Sequence, residues 1–149
     1  MINDPLEQLE REQLQLASIK KRALAFIIDE ILLSAVFMIM LWDQLPESPS
    51  LEEIIVLTNA YVMEYMAMKI VYQTLFVYQY GASIGKIMMK IRIVELRTFD
   101  SPVILSAFNR GVFRIVSEML FYIGFVWATL NPARQTWHDR TAGTVVVDA

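Results

Sequence analysis

Apolar residues along this chain are gathered into three long blocks instead of being spread out to build one core. Ala23 to Trp42 is 20 residues, Ile54 to Tyr78 is 25 and Val112 to Leu130 is 19. A hydrocarbon core about 30 Å thick takes roughly 20 helical residues, so each block is long enough to span it. The polar chain left over cannot cover three helices that are apolar all round, which argues against a soluble bundle. The pattern therefore predicts an all-α transmembrane fold with spans at about 23–42, 54–78 and 112–130. A hydrophobic content of 56% agrees with it.

The stretches between the blocks have their own grammar. Asp4, Pro5 and Glu7 read as a helix start, and Leu6, Leu9 and Leu16 fall near one face. Residues 1–19 are therefore predicted to form a short amphipathic lead-in, solvated and acidic, without the character of a signal peptide. Lys90 to Arg97 alternates polar and apolar residues like a half-exposed strand, and Thr144 to Val147 has the same look after a polar turn. A lone strand leaves its backbone groups unpaired, so the two are candidates to pair as a small sheet.

Charge sets the expected orientation. Lys20, Lys21 and Arg22 precede the first block, and Lys86, Lys90, Arg92, Arg97 and Arg110 lie between 79 and 111, whereas the 43–53 loop has four acids and no basic residue. Basic residues stay inside, so the N-terminus and the 79–111 segment are expected in the cytoplasm and the 43–53 loop outside. Three crossings would put the tail outside. Pairing of the two strand-like segments would instead bend the third block and keep the tail inside, as Arg134 and Arg140 also favour.

The first block contains two adjacent acids, Asp29 and Glu30. Its eleven Leu, Ile, Val and Phe residues favour insertion, by roughly 3 to 7 kcal/mol in all. Two ionised acids cost about 2.5 to 3.5 kcal/mol each, so the balance is near zero. The acids need protein, water or a positive partner. At 1.5 Å per residue, Asp29 lies roughly 10 Å, Lys69 about 14 Å and Glu118 about 9 Å from the cytoplasmic boundary. Asp29, Glu30, Lys69 and Glu118 are thus expected to form one intramembrane charge cluster, with Lys69 reaching Asp29 or Glu118. Such a layer serves either as a working site or as an ion pair holding helices together.

Other chemistry finds little support. Gly81 to Lys86 is one residue short of a phosphate loop, and Ile87 stands where a magnesium-binding hydroxyl is required. Arg110 and Arg114 read as side chains snorkelling to lipid phosphate. The chain has no cysteine and one histidine, His138; neither a catalytic set, a cofactor site, a metal site nor nucleic-acid binding is expected. Asp139 reads as a turn-capping carboxylate.

Three ordered stretches nonetheless resemble one family. They are Arg22-Ala-Leu-Ala-Phe-Ile-Ile-Asp29; Gly81-Ala-Ser-Ile-Gly85-Lys86 followed by Ile91-Arg92-Ile93-Val94; and Trp137-His138-Asp139-Arg140-Thr141-Ala142-Gly143-Thr144-Val145-Val146. Together they resemble the RDD family of small multi-pass membrane proteins, over a domain of residues 20–147. The resemblance implies family-motif residues Arg22, Asp29, Gly81, Gly85, Lys86, Asp139, Gly143 and Thr144, with Arg110 a second candidate for the family's arginine. Where the family pattern often has Gln or Thr, this chain has Ala82 and Ser83. The resemblance also implies a cation/proton exchange or other transport role, as suggested for some members.

Two classes of function follow. One is a transporter, or a transport component, that uses intramembrane charges on a proton or monovalent cation; three spans cannot enclose a pathway, so it requires a homo-oligomer or a membrane-protein partner. The other is a non-catalytic accessory or assembly subunit. Both place the chain in the cell (inner) membrane with its N-terminus in the cytoplasm.

Overall fold

The computed structural model describes residues 4–120 and 122–149. Residues 1–3 of the lead-in and residue 121 of the third block lie outside the described residues.

Helix α1 (Pro5–Arg11) starts where Asp4 accepts the Leu6 N–H at 3.1 Å. The chain then runs extended to Ser18, whose hydroxyl accepts the Lys21 N–H at 3.2 Å and opens α2 (Ile19–Met40). The 22 residues of α2 form a helix long and apolar enough to cross a membrane on its own. After a 3-10 turn (Trp42–Gln44), Ser50 and Glu53 form a capping box at the head of α3 (Leu51–Ala60). Helix α4 (Val62–Tyr80) follows and ends on Gly81, whose φ of +68° closes the last turn in the left-handed region.

A short α5 (Ile84–Met88) leads into β1 (Ile91–Glu95), then come α6 (Ile104–Met119), α7 (Ile123–Leu130), α8 (Trp137–Ala142) and β2 (Thr144–Asp148). The strands pair antiparallel, with Ile93 opposite Val146 and Glu95 opposite Thr144. The tail thus lies beside the 79–111 segment.

Two of the three apolar blocks are not straight spans. The second breaks at Tyr61, with α3 and α4 bent by 65°, and the third breaks between α6 and α7, which are bent by 103°. Each meets the length and composition of a span only if its bent pair is taken as one. Helix α6 starts well before the block, at Ile104, because the segment is amphipathic: Ala107, Arg110, Gly111, Arg114, Ile115 and Ser117 are buried along one face. Its packing partner fixes the reversal. A Cβ on Gly124 would lie 2.2 Å from Ser117 Oγ, so glycine lets α7 fold back directly against α6.

The small sheet has a face for each of two apolar clusters. Ile91, Ile93 and Val146 pack with Ala17, Ala25, Val77 and Ala107, joining the sheet to α2, α4 and α6. Val94, Val145 and Val147 are covered by Leu9, Leu14 and Leu16. The lead-in is therefore not a solvated arm. Leu9 is 2% exposed, Leu16 bridges to Val147, and the Ala17 N–H donates to the Val146 carbonyl at 3.1 Å. A two-stranded sheet is marginal alone, and this segment closes its open face.

Across the rest of the molecule polarity is inverted. Asp29, Lys69, Gln73, Arg110, Arg114 and Asp139 are buried, while Ile31, Ile39, Met40, Leu105 and Leu130 are each at least 65% exposed. Water favours the opposite arrangement. A lipid surround favours this one, with charged groups turned to the bundle interior.

Candidate functional site

The buried polar groups come from stripes at four-residue spacing. Ala25, Asp29, Leu33 and Phe37 are buried on α2, Lys69, Gln73 and Val77 on α4, and Arg110 and Arg114 on α6. Residues four apart share a helix face, so each stripe turns toward the neighbouring helices. They assemble into three groups.

In the first, Lys69 Nζ lies 2.9 Å from Glu30 Oε1 and also donates to Glu118 Oε2. Arg114 donates to the same Glu30 oxygen at 3.2 Å, and its guanidinium stacks 4.8 Å from the centre of the Phe26 ring. Arg114 Nε is 3.4 Å from Glu118 Oε1, an ion pair without hydrogen-bond alignment, so both atoms lack a hydrogen-bond partner among the described residues. Glu30, Lys69 and Glu118 therefore meet as one cluster, joined by Arg114. The expected Asp29–Lys69 pair does not form, because Asp29 faces a different helix.

That helix is α5. Asp29 Oδ1 accepts the Gly85 N–H at 2.8 Å and the Tyr72 hydroxyl at 2.7 Å, and Oδ2 accepts the Ser83 hydroxyl at 2.6 Å. Tyr72 in turn accepts the Ile84 N–H at 3.0 Å. Unmatched N–H groups at a helix start favour a carboxylate, and here it arrives from a different element. Gly85 is required by contact: a Cβ there would stand 2.1 Å from the Ala25 carbonyl oxygen.

The third group centres on Asp139, which is fully buried. One oxygen accepts from Arg110, and the other accepts from Arg22 and from the Thr136 N–H at 3.0 Å. Both candidates for the family arginine thus grip one carboxylate. Arg110 also donates to the Thr144 hydroxyl, and Arg22 to the Arg134 carbonyl. Burial opposes ionisation of Asp139, but Arg110 and Arg22, then His138 and the Thr136 N–H, hold it well below the usual carboxylate range. The capping role read from the sequence is present as well, since Thr136 and Asp139 form the capping box of α8. Gly143 closes that helix with φ +65° and hands the chain to Thr144. Arg110 and Arg114, read as snorkelling to lipid, are instead 4% exposed and paired inside the protein.

Between the three groups lies a cavity of about 280 Å³, reached by side chains of α2, α4, α5, α6, α7 and α8. Lys86 of α5 borders it, 9% exposed. Burial pushes the Lys86 ammonium down to about 7; Asp29 opposes this, and Arg114, Arg110 and Arg22 add to it. His138 packs edge-on to Phe125, with ring centres 5.2 Å apart. Burial holds it well below the usual imidazole range, with Asp139 opposing and Arg110, Arg114 and Arg22 adding to the effect.

The sequence reading placed no role on Tyr72 or Ser83, and it sent Arg114 to lipid. For Arg114 the signal was present, since 110, 114 and 118 share one helix face. For Tyr72 and Ser83 there was none, because only the docking of α5 against α2 brings their hydroxyls to Asp29.

Comparison with known proteins places the chain in a family. The RDD family model matches residues 16–143, most of the chain, and the protein belongs to the RDD family. Over 72 residues it is 29% identical to an uncharacterized protein of Rickettsia prowazekii (strain Madrid E), a stretch covering 48% of this chain and 39% of that protein. No solved structure matches. RDD proteins are membrane proteins, and α2 supplies a helix long and apolar enough to be inserted.

Proposed function

We propose that this RDD protein is a multi-pass protein of the cell (inner) membrane that works, without catalysing a reaction, as a component of a proton or monovalent-cation transport assembly. In this reading the bent pairs α3–α4 and α6–α7 enter the bilayer beside α2. The N-terminus, the 79–111 segment and the tail share the cytoplasmic side, and the 43–53 loop is outside. Pairing of β1 with β2 supports the common side for the tail.

One observation carries the preference for transport over a purely structural charge layer. Charges that only hold helices together leave few buried polar atoms without partners. Here Glu118 Oε1, a buried carboxylate oxygen, has no hydrogen-bond partner among the described residues, with only Arg114 Nε nearby at 3.4 Å. Glu30 and Glu118 share Lys69 and Arg114 between them, so an entering cation or proton has two carboxylates for which to compete. Three spans are too few to enclose a path, hence the assembly: a homo-oligomer or a membrane-protein partner.

A second reading, an accessory or assembly subunit, draws on how fully the other charges are paired. Reconstitution separates the two. In liposomes carrying the purified protein, proton and sodium or potassium flux above that of empty liposomes is expected, with a loss in Lys69→Met. No flux, together with a partner chain co-purifying at fixed stoichiometry, would put the accessory reading in its place.

A further inference from the structure

The side chains around the cavity carry a charge pattern that no step above uses. Four cations border it, Arg22, Lys86, Arg110 and Arg114, and among the described residues no Asp or Glu does. Asp139 serves two of these arginines, and Arg114 shares Glu30 and Glu118 with Lys69. Lys86 forms no salt bridge among the described residues. Among the described residues, the buried and half-buried charges here are five cations, Lys69 included, and four carboxylates, Asp29 included.

Donors are also in excess. A guanidinium offers five N–H groups. Arg110 spends only Nη1, and Arg22 only Nη1 and Nη2. The Gln73 amide nitrogen, 6% exposed as a residue, and His138 Nδ1, on a ring residue 5% exposed, belong to residues bordering the same space and have no hydrogen-bond partner among the described residues. A buried amide donor without an acceptor is costly unless something supplies the oxygen. Forked guanidiniums with an added ammonium match the oxygens of a phosphate group. The other wall is apolar, with Phe26, Ile27 and Phe125, and the volume is near the lower end of small-ligand sites, roughly 300 Å³ upward.

We infer that this cavity is a binding site for a phosphate group, held by Lys86 and the free donors of Arg22, Arg110 and Gln73. The phosphate belongs either to a lipid headgroup, whose chains would follow the apolar wall, or to a free anion. The site does not depend on cation flux; it adds an anion to a layer whose carboxylates all lie elsewhere.

The test uses the full chain, stripped of lipid in neutral detergent and melted by intrinsic fluorescence. Inorganic phosphate is titrated against sodium chloride of equal ionic strength, and in a second arm phosphatidylglycerol is added against phosphatidylcholine. A saturable rise in melting temperature with phosphate identifies a free-anion site; a rise with phosphatidylglycerol alone identifies a headgroup site. Lys86→Met removes a buried amine that has no salt-bridge partner among the described residues, so it is expected to fold and to weaken binding about tenfold or more, the worth of a charge-assisted hydrogen bond. Gln73→Met weakens it as well and serves as an independent variant should Lys86→Met not fold. The proposal is overturned if neither ligand shifts the melt, if chloride or phosphatidylcholine matches the effect, or if both folded variants bind like wild type.

Discussion

Asp29 in α2 accepts the backbone N–H of Gly85 in α5 at 2.8 Å, so the acid that strains the first apolar block is used to seat a neighbouring helix. With the Ser83 and Tyr72 hydroxyls it holds three donors. Asp29→Ala should cost at least about 3 kcal/mol, since each of the three donors left bare is worth about 1 to 3. Gly85→Ala should be at least as damaging, because its new methyl meets the Ala25 carbonyl. Thermal melts in detergent measure both. Rescue of Asp29→Ala by Lys69→Met would contradict the geometry, which keeps the two residues apart.

Lys69 is the cation that two acids share. Lys69→Met should lower stability by up to about 3 kcal/mol by leaving two half-buried carboxylates to share Arg114. Adding Glu118→Gln to it should recover much of the loss, as Arg114 then remains for Glu30. Folded yield after purification reports the difference. A double variant no better than Lys69→Met would mean that the Lys69–Glu118 pair contributes nothing.

Asp139 joins α2, α6 and α8 through two arginines. Asp139→Asn leaves both guanidiniums facing a neutral amide and should cost about 3 to 5 kcal/mol. Arg22→Lys should also destabilise, since an ammonium cannot reproduce the two-pronged contact with Asp139 and the Arg134 carbonyl. Pulse proteolysis compares them, and Asp139→Asn is expected to open more readily.

Lys86 makes stability depend on pH in a calculable direction. Its ammonium is pushed down to about 7 in the fold and titrates near 10.4 when unfolded. Between these values the unfolded chain binds the extra proton, so stability contributed by this residue rises with pH from about 7 to about 10 and is absent below. Melts in phosphate-free buffer across that window should climb for wild type and be flatter for Lys86→Met. Equal slopes in the two proteins would show that the group is not buried uncharged.

Orientation is read with single cysteines in this cysteine-free chain. Ser48, Ser101 and Ala149 are all exposed. Ser48→Cys should react with an impermeant thiol reagent in intact cells, and Ser101→Cys and Ala149→Cys only after permeabilisation. Reaction of Ala149→Cys alone from outside would separate the tail from β1 and refute the shared side.

Much of this protein is written locally. Asp4 and Pro5 start α1, Gly81 and Gly143 end helices, and the alternation in 90–97 and the valine run at 145–147 mark the two strands that pair. Each depends on a backbone preference or a period within a few residues. The stress in the first block was also legible, because insertion energies sum along one helix regardless of its surroundings. Which acid meets which cation was not. Asp29 and Glu30 are adjacent, yet they point about 100° apart around the helix axis, one to the head of α5 and the other to Lys69 and Arg114. A helix apolar on nearly every side gives no period from which to read the side facing protein. The reversal at the end of α6 was hidden for a related reason: the apolar run continues through it, and only the contact of Gly124 with Ser117 and the pairing of β2 with β1 turn the chain back. Partner choice among buried charges depends on helix rotation and crossing, and those are set by packing between segments far apart in the chain.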